Sequence, residues 1–132
     1  MMDTIYALAE SRKTKLPGGN LMETMTYQNG KIMCPYESTI SLIGDRWSLM
    51  ILRNLRFKKE PWRFNQMLKS LKGISSKTLS AKLKYLVENG IVDKEIVNVT
   101  PVLIHYKLTE KGEDLTPILD AMAAWSEKWE HD

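Results

Sequence analysis

Cysteine and histidine are scarce in this chain: one Cys (Cys34) and two His (His105, His131) in 132 residues. A lone cysteine excludes an intrachain disulfide framework and leaves only an intermolecular bridge open. Cys34, His105 and His131 do not fall at metal-ligand spacing, and neither histidine has a spaced partner for proton transfer. No glycine-rich loop of the kind that cradles phosphates is present. Asp114 and Asp120 read as one polar face of a helix rather than as paired acids. No apolar run approaches the roughly 18 residues of a membrane span, and the N-terminus lacks the charged-then-apolar pattern of a signal peptide. The expectation is a single-domain cytoplasmic protein with no catalytic residues, metal, cofactor or membrane partner.

What the chain does have is an uneven distribution of charge. The hydrophobic content (43%) and charged content (27%) are those of an ordinary globular domain. The formal net charge of +3 hides a gradient. Residues 36–99 carry twelve Lys and Arg against six Asp and Glu, net +6, whereas residues 100–132 carry three against seven, net −4. Between 61 and 87 there are six cations (Arg63, Lys69, Lys72, Lys77, Lys82, Lys84) and no acid. A positive field confined to mid-chain is the footprint expected for a polyanion partner, with the acidic C-terminal segment turned away from it.

Periodicity supplies the elements. Residues 1–33 read as an arm, with a short helix over 3–13, a turn at Pro17-Gly18-Gly19-Asn20 and an Asn29-Gly30 hairpin signal. Pro35 suits the first position of a helix over 35–43, Gly44-Asp45 breaks it, and Asp45 can cap an apolar helix over 46–57. Lys58-Lys59-Glu60-Pro61 reads as a turn and Trp62-Arg63-Phe64 as a short extended segment. Asn65 is placed to cap a helix over 66–71. After Gly90 the period turns from helical to alternating, giving strands over 91–97 and 103–108 joined through Asn98–Val102. Thr109 can cap a long final helix, about 109–130, in which Pro117 produces either a kink or a restart.

The stretch from Gly73 to Gly90 carries the most information. Ser75 or Ser76 can cap its start and Asn89-Gly90 its end. Leu79, Leu83, Leu86 and Val87 form a stripe for burial. The opposite side carries Lys77, Ala81, Lys84 and Glu88, flanked by Thr78, Ser80 and Tyr85. Small, polar and cationic side chains on a projecting helix suit a DNA major groove; taken alone, such a face is as readily a solvated one. Its context argues for the groove. A helix, a tight turn at Lys72-Gly73, this basic helix and then a β-hairpin form a winged helix-turn-helix, a mainly α (α+β) fold with a two-stranded wing and additional terminal helices.

Cys34-Pro35, Ile43-Gly44-Asp45-Arg46-Trp47, Ile51-Leu52, Arg63-Phe64-Asn65, Gly73-Ile74-Ser75, Leu79, Leu83, Leu86, Asn89-Gly90 and Tyr106-Lys107-Leu108-Thr109-Glu110-Lys111-Gly112 resemble the HxlR family of bacterial and archaeal transcription regulators. The resemblance spans roughly 34–130 and is specific through the order of its motifs. It implies a homodimeric, sequence-specific binder of double-stranded DNA, with dimer contacts from the terminal helices. Carried over residue by residue, it implies that Ser75, Ser76, Lys77, Thr78 and Ala81 lie at the groove-facing start of the recognition helix. Lys82 and Lys84 would reach phosphates, while Arg63 and Asn65 would hold the backbone at the bracing helix. Ser80 and Tyr85 complete the DNA-binding set. Family members often carry an arginine where this chain has Leu103; with Val99 and Val102, it makes an uncharged wing tip.

Some family members sense oxidants or electrophiles through a cysteine just before the first conserved helix, and Cys34 matches that position. Free N–H groups at a helix start favour negative charge, although a lone cysteine also serves as a small buried hydrophobe. On the last helix, Leu115, Ile118, Leu119, Met122, Trp125 and Trp129 form a stripe wider than a lone surface helix needs. It reads as the homodimer interface, because helix-turn-helix proteins pair half-sites about 34 Å apart. A second reading keeps the fold but makes it a protein-interaction module, favoured by the apolar wing tip. For the regulator, the sequence is also compatible with a small-molecule or electrophile effector, the small molecule bound at the dimer interface.

Overall fold

The computed structural model describes residues 26–28, 31–57 and 60–131, with side chains described over 34–57 and 60–131. The helix expected over 3–13, the turn at 17–20 and the Asn29-Gly30 turn lie outside the described residues. The chain divides into two compact units at Gly44/Asp45.

In the first unit, strands β1 (Thr26–Gln28) and β2 (Lys31–Met33) pair antiparallel, Gln28 opposite Lys31 and Thr26 opposite Met33. Helix α1 (Pro35–Ile43) follows. Cys34 holds extended backbone (φ −70°, ψ 126°) just ahead of it, and Pro35 needs no N–H partner in the first turn. The α1 helix ends where the Gly44 N–H donates to the Ile40 carbonyl at 2.7 Å.

The second unit opens on Asp45, whose Oδ2 accepts the Ser48 N–H at 3.0 Å and so caps α2 (Arg46–Phe57). Strand β3 is only Trp62–Arg63. Phe64, expected to be extended, is instead the first residue of α3 (Phe64–Ser70). Asn65 is therefore inside that helix rather than capping it. Arg63 takes the extended N-cap conformation, and its N–H is satisfied by Gln66 Oε1 at 3.0 Å, the reciprocal bond of a capping box. Gly73, at φ +95°, makes the turn into α4 (Ser76–Glu88), a backbone conformation that side chains disfavour. At the far end of α4, Asn89 is the C-cap and Gly90, at φ +73°, reverses the chain.

The wing strands β4 (Val92–Val99) and β5 (Val102–Leu108) extend further towards the tip than their sequence suggests, so only Thr100 and Pro101 connect them. Besides that connection, β4 carries one irregularity of its own, a register shift between Ile96 and Asn98. β3 adds to β5, Trp62 opposite Tyr106 and Arg63 opposite His105, giving a three-stranded sheet in the order β3-β5-β4. Thr109 caps α5 (Glu110–Glu113), its hydroxyl accepting the Gly112 N–H at 3.0 Å while donating to the Gly90 carbonyl. The final segment then restarts as α6 (Thr116–Trp129), with Pro117 in its first turn. Restart, rather than kink, is the outcome at Pro117, because proline fits a first turn without losing a hydrogen bond. No helix of the described residues is long and apolar enough to cross a membrane.

The core of this unit joins α2 (Ile51, Leu52, Leu55), α3 (Met67), α4 (Leu79, Leu83, Leu86) and the residues leading into the wing (Ile91, Val92). One polar group belongs to it. The Asn54 amide is 5% exposed and donates to Ser70 Oγ at 3.1 Å and Met67 Sδ at 3.3 Å. Those bonds tie α2 to the helix that braces α4.

Candidate nucleic-acid interface

The start of α4 is fixed before its side chains reach solvent. The Thr78 N–H donates to Ser75 Oγ at 3.0 Å, and the Ser75 hydroxyl donates in turn to Thr78 Oγ1 at 3.0 Å. Ser75 and Thr78 thus satisfy each other. Burial of Leu79, Leu83 and Leu86 turns the remaining face outward. Ser76, Lys77, Ser80, Ala81 and Lys84 are exposed, and Tyr85 is 39% exposed. Lys77 and Lys84 make no hydrogen bond or ion pair among the described residues. Thr78 and Lys82 are half-buried beside these exposed residues, and Arg63 and Asn65 of the expected set lie at the start of the preceding helix instead.

Lys82 is engaged differently from Lys77 and Lys84. Its Nζ is 3.2 Å from Asp45 Oδ2, the same oxygen that caps α2. One carboxylate thus joins the start of α2 to the middle of α4. Burial alone would raise the Asp45 pKa, but hydrogen bonds from Ser48 and the Lys82 ammonium outweigh it and hold the carboxyl below its ordinary value. Its stabilising contribution is therefore complete above the ordinary carboxylate range and is lost as pH falls through the lowered value. Asp45→Ala should cost about 0.5–2 kcal/mol, the usual loss for a helix cap, and should free Lys82. Urea unfolding at pH 7 and at progressively acid pH checks this: the gap between wild type and variant should close as the pH drops. A constant gap would exclude ionised Asp45 as its source.

Arg63 and Asn65 are exposed at the start of α3. With Gln66 and Lys69 they form one wall of a cleft of about 260 Å³ whose other wall is Val102, Leu103 and Ile104 of the wing. The wing tip is apolar and open to solvent, Val99 being 74% and Val102 63% exposed. Lys69 belongs to the basic rim through this cleft. The run of cations without acids from 61 to 87 flagged its charge, whereas its proximity to the wing needed the fold.

Cys34 is half-buried, and its carbonyl accepts the Ser38 N–H at 2.9 Å. On α6 no residue is buried: Leu115 just before it and Leu119 on it are half-buried, and Ile118, Met122, Trp125 and Trp129 are exposed. Among the described residues no three His, Cys, Asp or Glu side chains gather as metal ligands would.

Residues 42–132 match the family described as HxlR-like helix-turn-helix. The chain is 39% identical over 101 residues to the HTH-type transcriptional regulator YodB of Bacillus subtilis (strain 168), covering 76% of this chain and 88% of that one. It is 36% identical over 91 residues to the uncharacterized HTH-type transcriptional regulator YdzF of the same organism, covering 69% and 83%. Among solved structures, the reduced form of the transcriptional regulator YodB from B. subtilis matches with a TM-score of 0.63 at 38% identity, covering 75% of this chain and 96% of that one. The redox regulator HypR in its oxidized form matches with a TM-score of 0.67 at 30% identity, covering 75% and 100%.

Proposed function

The chain belongs to the HxlR-like helix-turn-helix family, and from that premise we propose that it is a cytoplasmic, sequence-specific DNA-binding transcription regulator acting as a homodimer on a two-fold operator. The observation that carries this reading is the exposed face of α4, where Ser76, Lys77, Ser80, Ala81 and Lys84 project from a helix capped by Ser75 and braced by α3. Residues 34–132 form the winged-helix domain, with 109–130 supplying dimer contacts, and residues 1–33 form an arm.

Phosphate contacts position a protein on DNA and base contacts specify the site. Ser76, Lys77 and Ala81, near the start of α4, serve base readout. Ser75 and Thr78 set the pitch of that turn. Lys84, further along, serves phosphates, as do Arg63 and Asn65 beside the wing cleft. Lys82 contributes less than its charge suggests, because Asp45 already neutralises it.

Duplex DNA from upstream of the protein's own gene, titrated at two salt concentrations against excess unrelated duplex, tests the proposal. Binding should survive the competitor and weaken with salt by about 0.9 log unit per log unit of salt for each neutralised phosphate. Lys84→Ala should weaken binding to every sequence and flatten that slope. Lys77→Ala should cost about 1–3 kcal/mol at one base position and relax preference there. Equal losses on every duplex for both variants would contradict the division of labour. Absence of binding at low salt would favour a protein-interaction module, to which the exposed apolar wing tip is suited.

The names of the redox regulator HypR and of the reduced form of YodB support a thiol as the input, and Cys34 is the single candidate. Diamide should change operator affinity in the wild type and leave Cys34→Ser unaltered. A response that persists in Cys34→Ser would remove the thiol from the mechanism.

A further inference from the structure

The α2 helix has a second face that the core does not use. Leu49, Met50 and Phe57 of α2, with Leu119, Met122 and Ala123 of α6, wall a cleft of about 310 Å³. Its size falls at the small end of the range typical of organic ligands, about 300–1,000 Å³.

Two guanidinium groups stand at its rim, in different electrostatic states. Arg56 Nη2 lies 3.1 Å from Asp120 Oδ2, a pair that spans α2 and α6 and neutralises that cation. Arg53 has no carboxylate partner among the described residues. Its Nη2 and Nε donate instead to the neutral amide oxygen of Asn54, at 2.9 and 3.3 Å. Asn54 is itself anchored to Ser70 and Met67, so the Arg53 guanidinium is held in place while keeping its charge. An apolar slot with one oriented, uncompensated cation complements a molecule with an apolar body and a single negative head.

We propose that this cleft binds an amphipathic organic monoanion, a hydrocarbon or aromatic body carrying one carboxylate or sulfonate, with Arg53 receiving the anionic head. Leu119 and Met122, expected in the dimer interface, serve this cleft instead, and Leu115, Ile118, Trp125 and Trp129 remain for the partner proposed above. Binding at this site does not depend on the DNA reading; any effect on operator affinity rests on it.

The test titrates the full-length protein, without DNA, with the fluorescent probe 8-anilinonaphthalene-1-sulfonate. Saturable binding at one site per chain is expected, displaced by decanoate and much less by decan-1-ol at equal concentration. Arg53→Gln should weaken binding about tenfold or more, the usual loss for a hydrogen bond to a charged group. Ala123→Phe, which fills the cleft and leaves the charge, should abolish it. Both variants should keep the far-ultraviolet circular dichroism of the wild type. Non-saturable binding, equal displacement by the alcohol, or indifference to Arg53→Gln would overturn the proposal. So would binding that appears only on dilution to monomer, since a second copy would then cover the cleft. None of these failures would touch the DNA result, which is measured separately.

Discussion

Changing Trp125 and Trp129 together to glutamate should convert the protein to a monomer and cost it most of its operator affinity. The two rings are 60% and 62% exposed and lie four residues apart on α6, a helix with no buried residue. Exposed aromatic side chains on a contiguous apolar face are the usual anchors of a protein interface, each contributing about 2 kcal/mol or more. In a two-fold interface every anchor appears twice. Four such anchors amount to about 8 kcal/mol, so the dimer dissociation constant should rise by up to about six orders of magnitude. Sedimentation velocity at micromolar protein reads this directly. Because neither ring belongs to the core, circular dichroism and the unfolding midpoint should change little apart from the loss of dimer linkage. A dimer that survives both substitutions would place the interface elsewhere.

Leu83→Ala should destabilise the fold by about 2–5 kcal/mol. Leu83 is 1% exposed, on the inward face of α4 between Leu79 and Leu86, both fully buried. Removing its branched end leaves a cavity among rigid neighbours that cannot fully collapse. The loss is a large share of the roughly 5–15 kcal/mol that holds an ordinary domain folded. Urea unfolding should show a lower midpoint with an unchanged slope. Ser80→Ala, one residue outside the buried stripe, should stay within about 0.5 kcal/mol. Similar losses for both variants would mean that α4 does not bury the face assigned to it.

Much of this was legible in the sequence, because local chemistry decides it. Asp45 capping α2, a serine capping α4 and Gly90 turning out of it each follow from residue types within one helical turn, although the choice of Ser75 over Ser76 came from the structure. The buried stripe of α4 follows from leucine spacing. Boundaries failed where two local solutions compete. Asn65 is a good cap by type, yet Gln66 satisfies the N–H of Arg63 and moves the start of α3 earlier. The strands of the wing outran their apolar alternation because backbone pairing with a partner, rather than burial, sustains them near the tip. Contacts across the sequence were not readable at all. Nothing around Lys82 signals that Asp45 neutralises it, and nothing around Arg53 signals an apolar slot completed by α6.

The break between α5 and α6 has a geometric consequence. Thr109 clasps the end of α4 to the start of α5, whereas Asp114 and Leu115 separate that clasp from the 14-residue α6. At 1.5 Å per residue α6 is about 21 Å long, so a turn of about 10° at the break swings its far end by about 4 Å. That is close to the rise of one base pair, about 3.4 Å. On the proposed reading of α6 as the partner-bearing helix, these two residues set its angle together with the Arg56–Asp120 pair that ties it to α2: substitutions there would touch no base and yet change the half-site separation that the protein measures.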